Sequence, residues 1–107
     1  MQQTNKIIPS IEVLIDLCKT LVMNNKKIIM TNGCFDIIHP GHIHLLSESK
    51  KLGDTLIVAV NSDKSVKELK GNNRPINNQN DRLYVLSGLE SVDYVILFDD
   101  ITPEKLI

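Results

Sequence analysis

A glycine-containing turn between an apolar run and a helical run is the feature that most limits how this chain can fold. The run Lys26–Thr31 is typical of a buried strand, and Gly41–Leu46 opens a helical pattern. The turn between them, Thr31–His42, reads TNGCFDIIHPGH. A strand that leads through a tight turn into a helix N-terminus directs backbone N–H groups and a positive dipole end to one point. The segment therefore predicts a phosphate site with His39 and His42 beside it.

Helical and strand-like patterns alternate along the rest of the chain. Further helices are predicted from Ser10 to Asn24, from the turn to about Leu52 with Gly53 as its C-terminal glycine, after Asn61-Ser62-Asp63, and from Asn80 or Asp81. Apolar runs at Thr55–Val60 and Tyr94–Phe98 predict two more strands. Strands and helices that alternate across short loops require right-handed crossovers. We therefore predict a three-layer, Rossmann-like α/β domain with a parallel sheet, of which three strands are present.

Composition limits the chain to one ordinary domain. It has 107 residues, of which 42% are hydrophobic and 23% are charged, and its net charge is −1. Without a basic excess, neither nucleic acid nor a membrane surface is an expected partner. Cys18 and Cys34 make neither a disulfide framework nor a zinc pattern. No signal peptide or membrane span is recognisable, which predicts a cytoplasmic protein.

The end of the sequence resembles the start of another helix. Thr102 fits the N-cap position and Pro103 the first helical position, yet only four residues follow Pro103. A helix needs about three turns and a packing surface to be stable. This pattern predicts that the remaining strands of the sheet are missing and that residues 1–107 are the N-terminal part of a longer domain.

The motif His39-Pro40-Gly41-His42, preceded by Thr31–Asp36, resembles the H-x-G-H signature of the nucleotidyltransferase superfamily, which includes cytidylyltransferases and adenylyltransferases. Further segments are similar to the adenylyltransferase domain of bacterial ADP-heptose synthases. They are Val60–Asp63, Leu69–Gly71, Arg74–Asn77, Asp81-Arg82 and Val92–Val95. The resemblance runs from about Ile8 to Ile107. Family members continue to a Ser/Thr-rich nucleotide-contacting motif that this sequence does not contain.

The resemblance implies an enzyme that transfers AMP from ATP to a sugar 1-phosphate, with D-glycero-D-manno-heptose 1-phosphate as the expected acceptor and pyrophosphate as the second product. Its expected cofactor is Mg²⁺, which enters with ATP rather than in a protein cage. His39, His42 and Lys70 are the expected catalytic residues. The expected nucleotide- and phosphate-binding residues are Thr31, Asn32, Gly33, Cys34, Phe35, Gly41 and Arg82. Asp36 and Asp63 are expected to approach the substrate.

Some of these residues have alternative roles. His39, His42 and His44 together could hold a metal ion, although zinc prefers a fixed set of three or four ligands at suitable spacing. Cys34 at a helix N-terminus could be a nucleophile, but transfer from ATP gives it no task. Asp36 could instead hydrogen-bond the turn.

The cations of the second half of the chain also have two interpretations. Lys64, Lys67, Lys70, Arg74 and Arg82 form a run of positive charges, which is usually a solvated face. For Lys64 and Lys67 we adopt that interpretation. Arg82 could brace a loop rather than bind phosphate. Asp63 could equally cap the next helix.

Two other functions remain open at this point. A cytidylyltransferase that uses glycerol phosphate or a similar acceptor belongs to the same superfamily. A module that only binds nucleotide or supports assembly would be consistent with the missing second half of the domain. An exposed sheet edge at the first predicted strand could pair with another chain, which predicts a homo-oligomer.

Overall fold

The computed structural model describes residues 3–99, which form a parallel sheet with helices on both faces. A 3-10 turn, Gln3–Lys6, comes first. The strands are β1 (Ile7–Ile8), β2 (Ile28–Gly33), β3 (Thr55–Asn61) and β4 (Tyr94–Phe98). The helices are α1 (Ile11–Met23), α2 (Pro40–Lys50), α3 (Asp63–Lys70) and α4 (Gln79–Ser87).

All strand pairs are parallel, and the strand order is β1-β4-β3-β2. The predicted fold class is thus confirmed, with one strand more than expected. The additional strand, β1, was not predicted because its two residues are too few to show periodicity. It is defined by its pairing with Val95 and Ile96 of β4. The first predicted strand, β2, lies at one end of this order, so an edge is where we expected it.

Two apolar clusters hold the layers together. On one face, Leu46 of α2 and Leu86 of α4 pack against alternate residues of β3, such as Val58. On the other face, Leu14 of α1 packs against the intervening residues, such as Ile57. Every residue of β3 is buried because both of its faces are covered.

Helix starts follow the expected capping chemistry with small shifts. Ser10 caps α1 as predicted, and its hydroxyl accepts from the Val13 N–H. Within the predicted cap Asn61-Ser62-Asp63 the residue that caps α3 is Ser62. The cap of α4 is Asn78, so this helix begins at Gln79, one residue before Asn80 and two before Asp81. In both helices the side-chain oxygen of the cap accepts from a free N–H of the first turn, that of Ser65 in α3 and that of Asp81 in α4. The predicted helix start at 102–104 lies outside the described residues.

The role predicted for Gly53 is wrong. Helix α2 ends at Lys50, and Gly53 does not adopt a left-handed conformation. A Cβ at this position would lie 2.7 Å from Ile29 Cγ1 and 2.9 Å from the Lys27 carbonyl oxygen. Gly53 is therefore required by the close passage of the chain against β2. The left-handed glycine that ends a helix is Gly71, with φ +102°, after α3.

No helix among residues 3–99 is long and apolar enough to cross a membrane.

Candidate functional site

The carboxyl ends of the strands meet at one edge of the sheet. Gly33 at the end of β2 lies in register with Val60, and Asn61 at the end of β3 lies in register with Phe98. Beyond this edge lies a cavity of about 480 Å³. Its lining consists of Asn32, Gly33, Cys34, Phe35, Asp36, Ile37, His39, His42, Leu45, Lys70 and Arg74. Eight of these eleven are predicted site residues. Thr31, Gly41, Asp63 and Arg82 are not part of the lining.

The two histidines form the N-terminal cap of α2. His39 is the N-cap residue, and its Nδ1 accepts a hydrogen bond from the Gly41 N–H at 3.0 Å. Nδ1 of His42 accepts from the His39 N–H at 3.2 Å, which completes a capping box. Because each Nδ1 is an acceptor, the proton of each neutral imidazole resides on Nε2. The cap therefore fixes the tautomer and leaves two Nε2–H donors beside the cavity.

Two glycines allow aromatic rings to fold over the backbone. A Cβ at Gly33 would lie 2.8 Å from the Phe35 ring, and one at Gly41 would lie 2.7 Å from Cε1 of His39. The prediction that these glycines let phosphates approach the backbone stays a prediction. The structure assigns them a second task, which is to make room for the rings that shape the turn.

Phe35 has an unusual backbone for a bulky residue. Its φ is +49°, the residue is 5% exposed, and its ring contacts that of His42 edge-on at 5.4 Å between centroids. A left-handed conformation at a non-glycine residue costs on the order of 1–3 kcal/mol. The burial of the ring offsets that strain and fixes the path of the turn beneath the histidine.

Lys70 also lines the cavity. It is the last residue of α3, it is exposed, and Gly71 follows it. Its charge acts on the site, since it is one of the causes that lower the pKa of His42. The fold thus brings Lys70 and the histidines to one cavity although nearly thirty residues separate them in the sequence.

Asp36 anchors a loop rather than facing open space. Its carboxylate is 4% exposed and accepts hydrogen bonds from the N–H groups of Ile76 and Asn77, at 2.8–3.0 Å, and from Arg74 Nη1 at 3.0 Å. Burial alone would raise the pKa of Asp36, but these hydrogen bonds and the Arg74 charge outweigh it and lower the pKa. Of the two predicted roles, the geometry favours hydrogen bonding within the protein over contact with substrate.

Arg82 is a brace inside the protein. The residue is 1% exposed, and its guanidinium donates to the carbonyl oxygens of Cys34, Asn61 and Asn77, at 2.7–3.0 Å, and to Asp63 Oδ1 at 2.8 Å. Four of its five N–H donors are engaged within the protein, so of the two predicted roles the geometry favours the brace over phosphate binding. Asp63, predicted to contact substrate or cap α3, is instead its ion-pair partner.

Protonation of His42 is disfavoured in this site. Burial, followed by the positive charges of His39 and Lys70, lowers the pKa of His42 from its ordinary 6.5. Between the lowered pKa and 6.5 the unfolded chain holds more protons at this residue than the folded chain does. We expect His42 to contribute fully to stability above pH 6.5 and to lose that contribution as the pH falls through its folded pKa.

Histidine NMR titration combined with urea unfolding at several pH values checks this expectation. Bound pyrophosphate serves as the control, because a nearby anion should raise the pKa of His42 again. The Asp36 transition does not interfere, since its lowered pKa places it below 3.8. A His42 resonance that titrates at or above 6.5 in the free protein would contradict the expectation.

A three-histidine metal site receives no support from the geometry. Within residues 3–99 no group of three histidine, cysteine, aspartate or glutamate side chains is placed to hold a metal ion. His44 is exposed and does not line the cavity with His39 and His42. Cys34 lines it, with Sγ 3.8 Å from Asn61 Oδ1.

Sequence reasoning missed three residues of the lining: Ile37, Leu45 and Arg74. Ile37 and Leu45 are each 50% exposed, and their apolar character suggests core packing when it is read from sequence alone. Arg74 was visible as one member of a run of cations. Only the contact of its loop with Asp36 distinguishes it from the solvated members of that run.

The sequence is similar to proteins named HldE in two bacteria. The chain is 52% identical over 104 residues to the bifunctional protein HldE of Aliarcobacter butzleri, covering 97% of this chain and 22% of that protein. It is 63% identical over 82 residues to the bifunctional protein HldE of Haemophilus influenzae (strain PittEE), covering 77% of this chain and 17% of that protein. The chain thus spans about a fifth of the length of these curated relatives.

A solved structure agrees with the fold. The crystal structure of the lipopolysaccharide core biosynthesis protein from Thermoplasma volcanium GSS1 superposes with a TM-score of 0.66 at 45% identity, covering 75% of this chain and 64% of that one. Residues 30–107 match the cytidylyltransferase-like family, a range that includes the whole cavity lining. The resemblance inferred from the H-x-G-H turn is therefore confirmed, and the chain belongs to the cytidylyltransferase-like family.

Proposed function

We propose that this chain is the part of an adenylyltransferase that holds the phosphates, and that the enzyme transfers AMP from ATP to a sugar 1-phosphate and releases pyrophosphate. The observation that carries the proposal is the histidine cap, which fixes two Nε2–H donors at a helix N-terminus beside a cavity that Lys70 also lines. Family membership and the HldE relatives support nucleotidyl transfer. The lipopolysaccharide core biosynthesis neighbour and the resemblance to ADP-heptose synthases support D-glycero-D-manno-heptose 1-phosphate as acceptor.

The reaction makes one bond and breaks one. An oxygen of the sugar phosphate attacks the α-phosphorus of ATP, and the bond from that phosphorus to the bridging oxygen of the β-phosphate breaks. The attacking oxygen is already anionic, so the chain needs no general base. Its tasks are to align the two phosphates and to stabilise the charge that develops on the departing pyrophosphate. The Nε2–H groups of His39 and His42 and the ammonium of Lys70 supply those donors.

Magnesium would enter as the complex with ATP, where it neutralises charge on the phosphate oxygens. The cavity lining fits this role better than a dedicated metal cage. Among the described residues that line it, Asp36 is the only acidic one, and protein donors occupy its carboxylate. The residues beside the cavity are otherwise neutral or positive, which suits a ligand that brings its own cation.

Pyrophosphate release by the full-length protein that contains this sequence tests the proposal. We expect release from ATP and magnesium that depends on a sugar 1-phosphate, with the heptose 1-phosphate as the best of a panel of acceptors. Lys70→Gln should lower the rate by at least tenfold because one charge leaves the phosphate site. Lys67→Gln removes the same charge from the exposed face of the same helix, outside the cavity, and should change the rate less than twofold. No release with any acceptor would refute the proposal.

A cytidylyltransferase is the second candidate, which the name of the matching family favours. The same cavity would then hold CTP, with glycerol phosphate or a similar acceptor. Replacement of ATP by CTP in the same assay separates the two candidates. Calorimetry with either nucleotide addresses the non-enzymatic alternative, since binding without turnover would indicate a module that only holds nucleotide.

A further inference from the structure

Arg74 lines the cavity, but the proposed reaction assigns donor roles only to His39, His42 and Lys70. Its side chain is 39% exposed, so it is neither a core residue nor a freely solvated one. It lies in the loop between α3 and α4, and it shares the cavity with His39, His42 and Lys70. Two other cations that follow β3 are placed differently: Lys67 is exposed outside the cavity, and Arg82 is buried in the interior.

The buried carboxylate of Asp36 holds this arginine from one side. Arg74 Nη1 donates to Asp36 Oδ2 at 3.0 Å, and Asp36 also fixes the loop through the N–H groups of Ile76 and Asn77. Within residues 3–99 this is the single hydrogen bond that the guanidinium makes. An arginine has five N–H donors in a planar fork, so most of those of Arg74, which lines the cavity, are not engaged with residues 3–99.

The Asp36–Arg74 ion pair also removes a source of repulsion between the protein and a bound phosphate. An unpaired carboxylate at the wall of a phosphate site would repel the ligand, but Asp36 is neutralised by the guanidinium and by backbone donors. The arginine is thereby restrained before any ligand arrives, which reduces the side-chain entropy lost on binding. A fork restrained by one carboxylate matches the planar, bidentate way in which arginine binds phosphate oxygens.

We propose that Arg74 is a phosphate-binding residue of this site, that Asp36 preorganises it, and that its remaining N–H groups hold a phosphate in the cavity that the histidines also line. The inference rests on the proposed function, because it assigns a further ligand-binding group to the same cavity. The phosphate could belong to the nucleotide or to the sugar 1-phosphate, and the two sources are separated by the choice of probe.

Calorimetry of the full-length protein tests the inference with magnesium pyrophosphate, magnesium ATP and a sugar 1-phosphate as separate probes. Arg74→Gln should weaken binding of one phosphate source by about 10- to 100-fold, the effect of losing charge-assisted hydrogen bonds. Loss with pyrophosphate and ATP assigns Arg74 to the nucleotide, and loss with the sugar phosphate assigns it to the acceptor. Lys67→Gln is the matched control and should bind every probe within twofold of wild type.

Arg74→Lys distinguishes ligand binding from anchoring of the loop. Lysine keeps a cation beside Asp36 and so preserves the ion pair, but it lacks the fork that reaches both the carboxylate and a phosphate. We expect Arg74→Lys to retain the wild-type melting temperature within a few degrees while losing most of the affinity that Arg74→Gln loses. Wild-type affinity for all probes in Arg74→Lys would show an anchoring role and overturn the inference.

The proposed function and this inference fail in different ways. If His42→Ala loses binding whereas both Arg74 variants keep it, the inference is wrong and the phosphate site stands. If the wild-type protein binds none of the three probes, the proposed function fails and the role of Arg74 fails with it.

Discussion

Replacement of Arg82 by leucine is expected to lower the free energy of unfolding by about 3–5 kcal/mol, the largest stability effect of any single substitution in the site. The guanidinium donates to three backbone carbonyls that belong to the turn, to the end of β3 and to the loop before α4. Leucine would remove the Arg82 donor from these carbonyls, of which the bond to Asn61 is buried and the other two are partly buried. Loss of a hydrogen bond by a buried polar group costs about 1–3 kcal/mol. The gain from no longer burying a charge offsets only part of this loss. Urea unfolding measured by circular dichroism gives the value.

Two further substitutions make this test specific. Arg82→Lys keeps the charge and the pair with Asp63, but one ammonium cannot reach all of the carbonyls, so an intermediate loss is expected. Asn80→Ala changes an exposed residue of the same helix and should alter the free energy of unfolding by less than about 0.5 kcal/mol. If Arg82→Leu were as stable as Asn80→Ala, the brace would not hold the turn, β3 and the loop together.

Replacement of His42 by alanine is expected to slow nucleotidyl transfer by on the order of 10²–10³-fold. The substitution removes an Nε2–H donor whose tautomer the capping box fixes, together with the ring contact to Phe35. It also removes half of the capping box, which costs about 1 kcal/mol of stability. That loss is too small to unfold an ordinary domain, so the rate and the stability can be measured on the same folded variant.

His44→Ala is the matched control for this prediction. His44 lies on the same helix two residues later, is exposed and does not line the cavity, so its removal should change the rate less than twofold. Steady-state pyrophosphate release, measured well below both melting temperatures, compares the two variants. A His42→Ala rate within threefold of wild type would exclude the imidazole from the chemistry.

Most of the secondary structure could be predicted because its signals are local. Ser10 before a helical run and the β-branched run in β3 locate their elements through caps and periodicity, which depend only on neighbours in the sequence. The strand Ile7–Ile8 could not be found in this way. It is defined by hydrogen bonds to β4, nearly ninety residues away, and two residues carry no pattern of their own.

The residues of the candidate site also fall into those that local sequence signals predict and those that only distant contacts define. The H-x-G-H turn identified the histidines because a strand, a glycine turn and a helix N-terminus follow one another in the chain. The roles of the charged residues could not be separated by sequence, because charge says nothing about burial. Lys70, Arg74 and Arg82 look equivalent in the run of cations, yet one is exposed at the cavity, one is held by Asp36 and one is buried.

The sequence by itself thus determined the fold class, the histidine turn and the family, since their signals come from residues that are close together in the chain. Tertiary structure alone decided which cations line the cavity and which one is a brace in the interior. Those outcomes depend on contacts between residues 19 to 48 positions apart, such as Arg82 with Asp63, Asp36 with Arg74 and Arg82 with Cys34. A buried guanidinium is stable only where carbonyls and a carboxylate converge on it, and that convergence exists only in the folded chain.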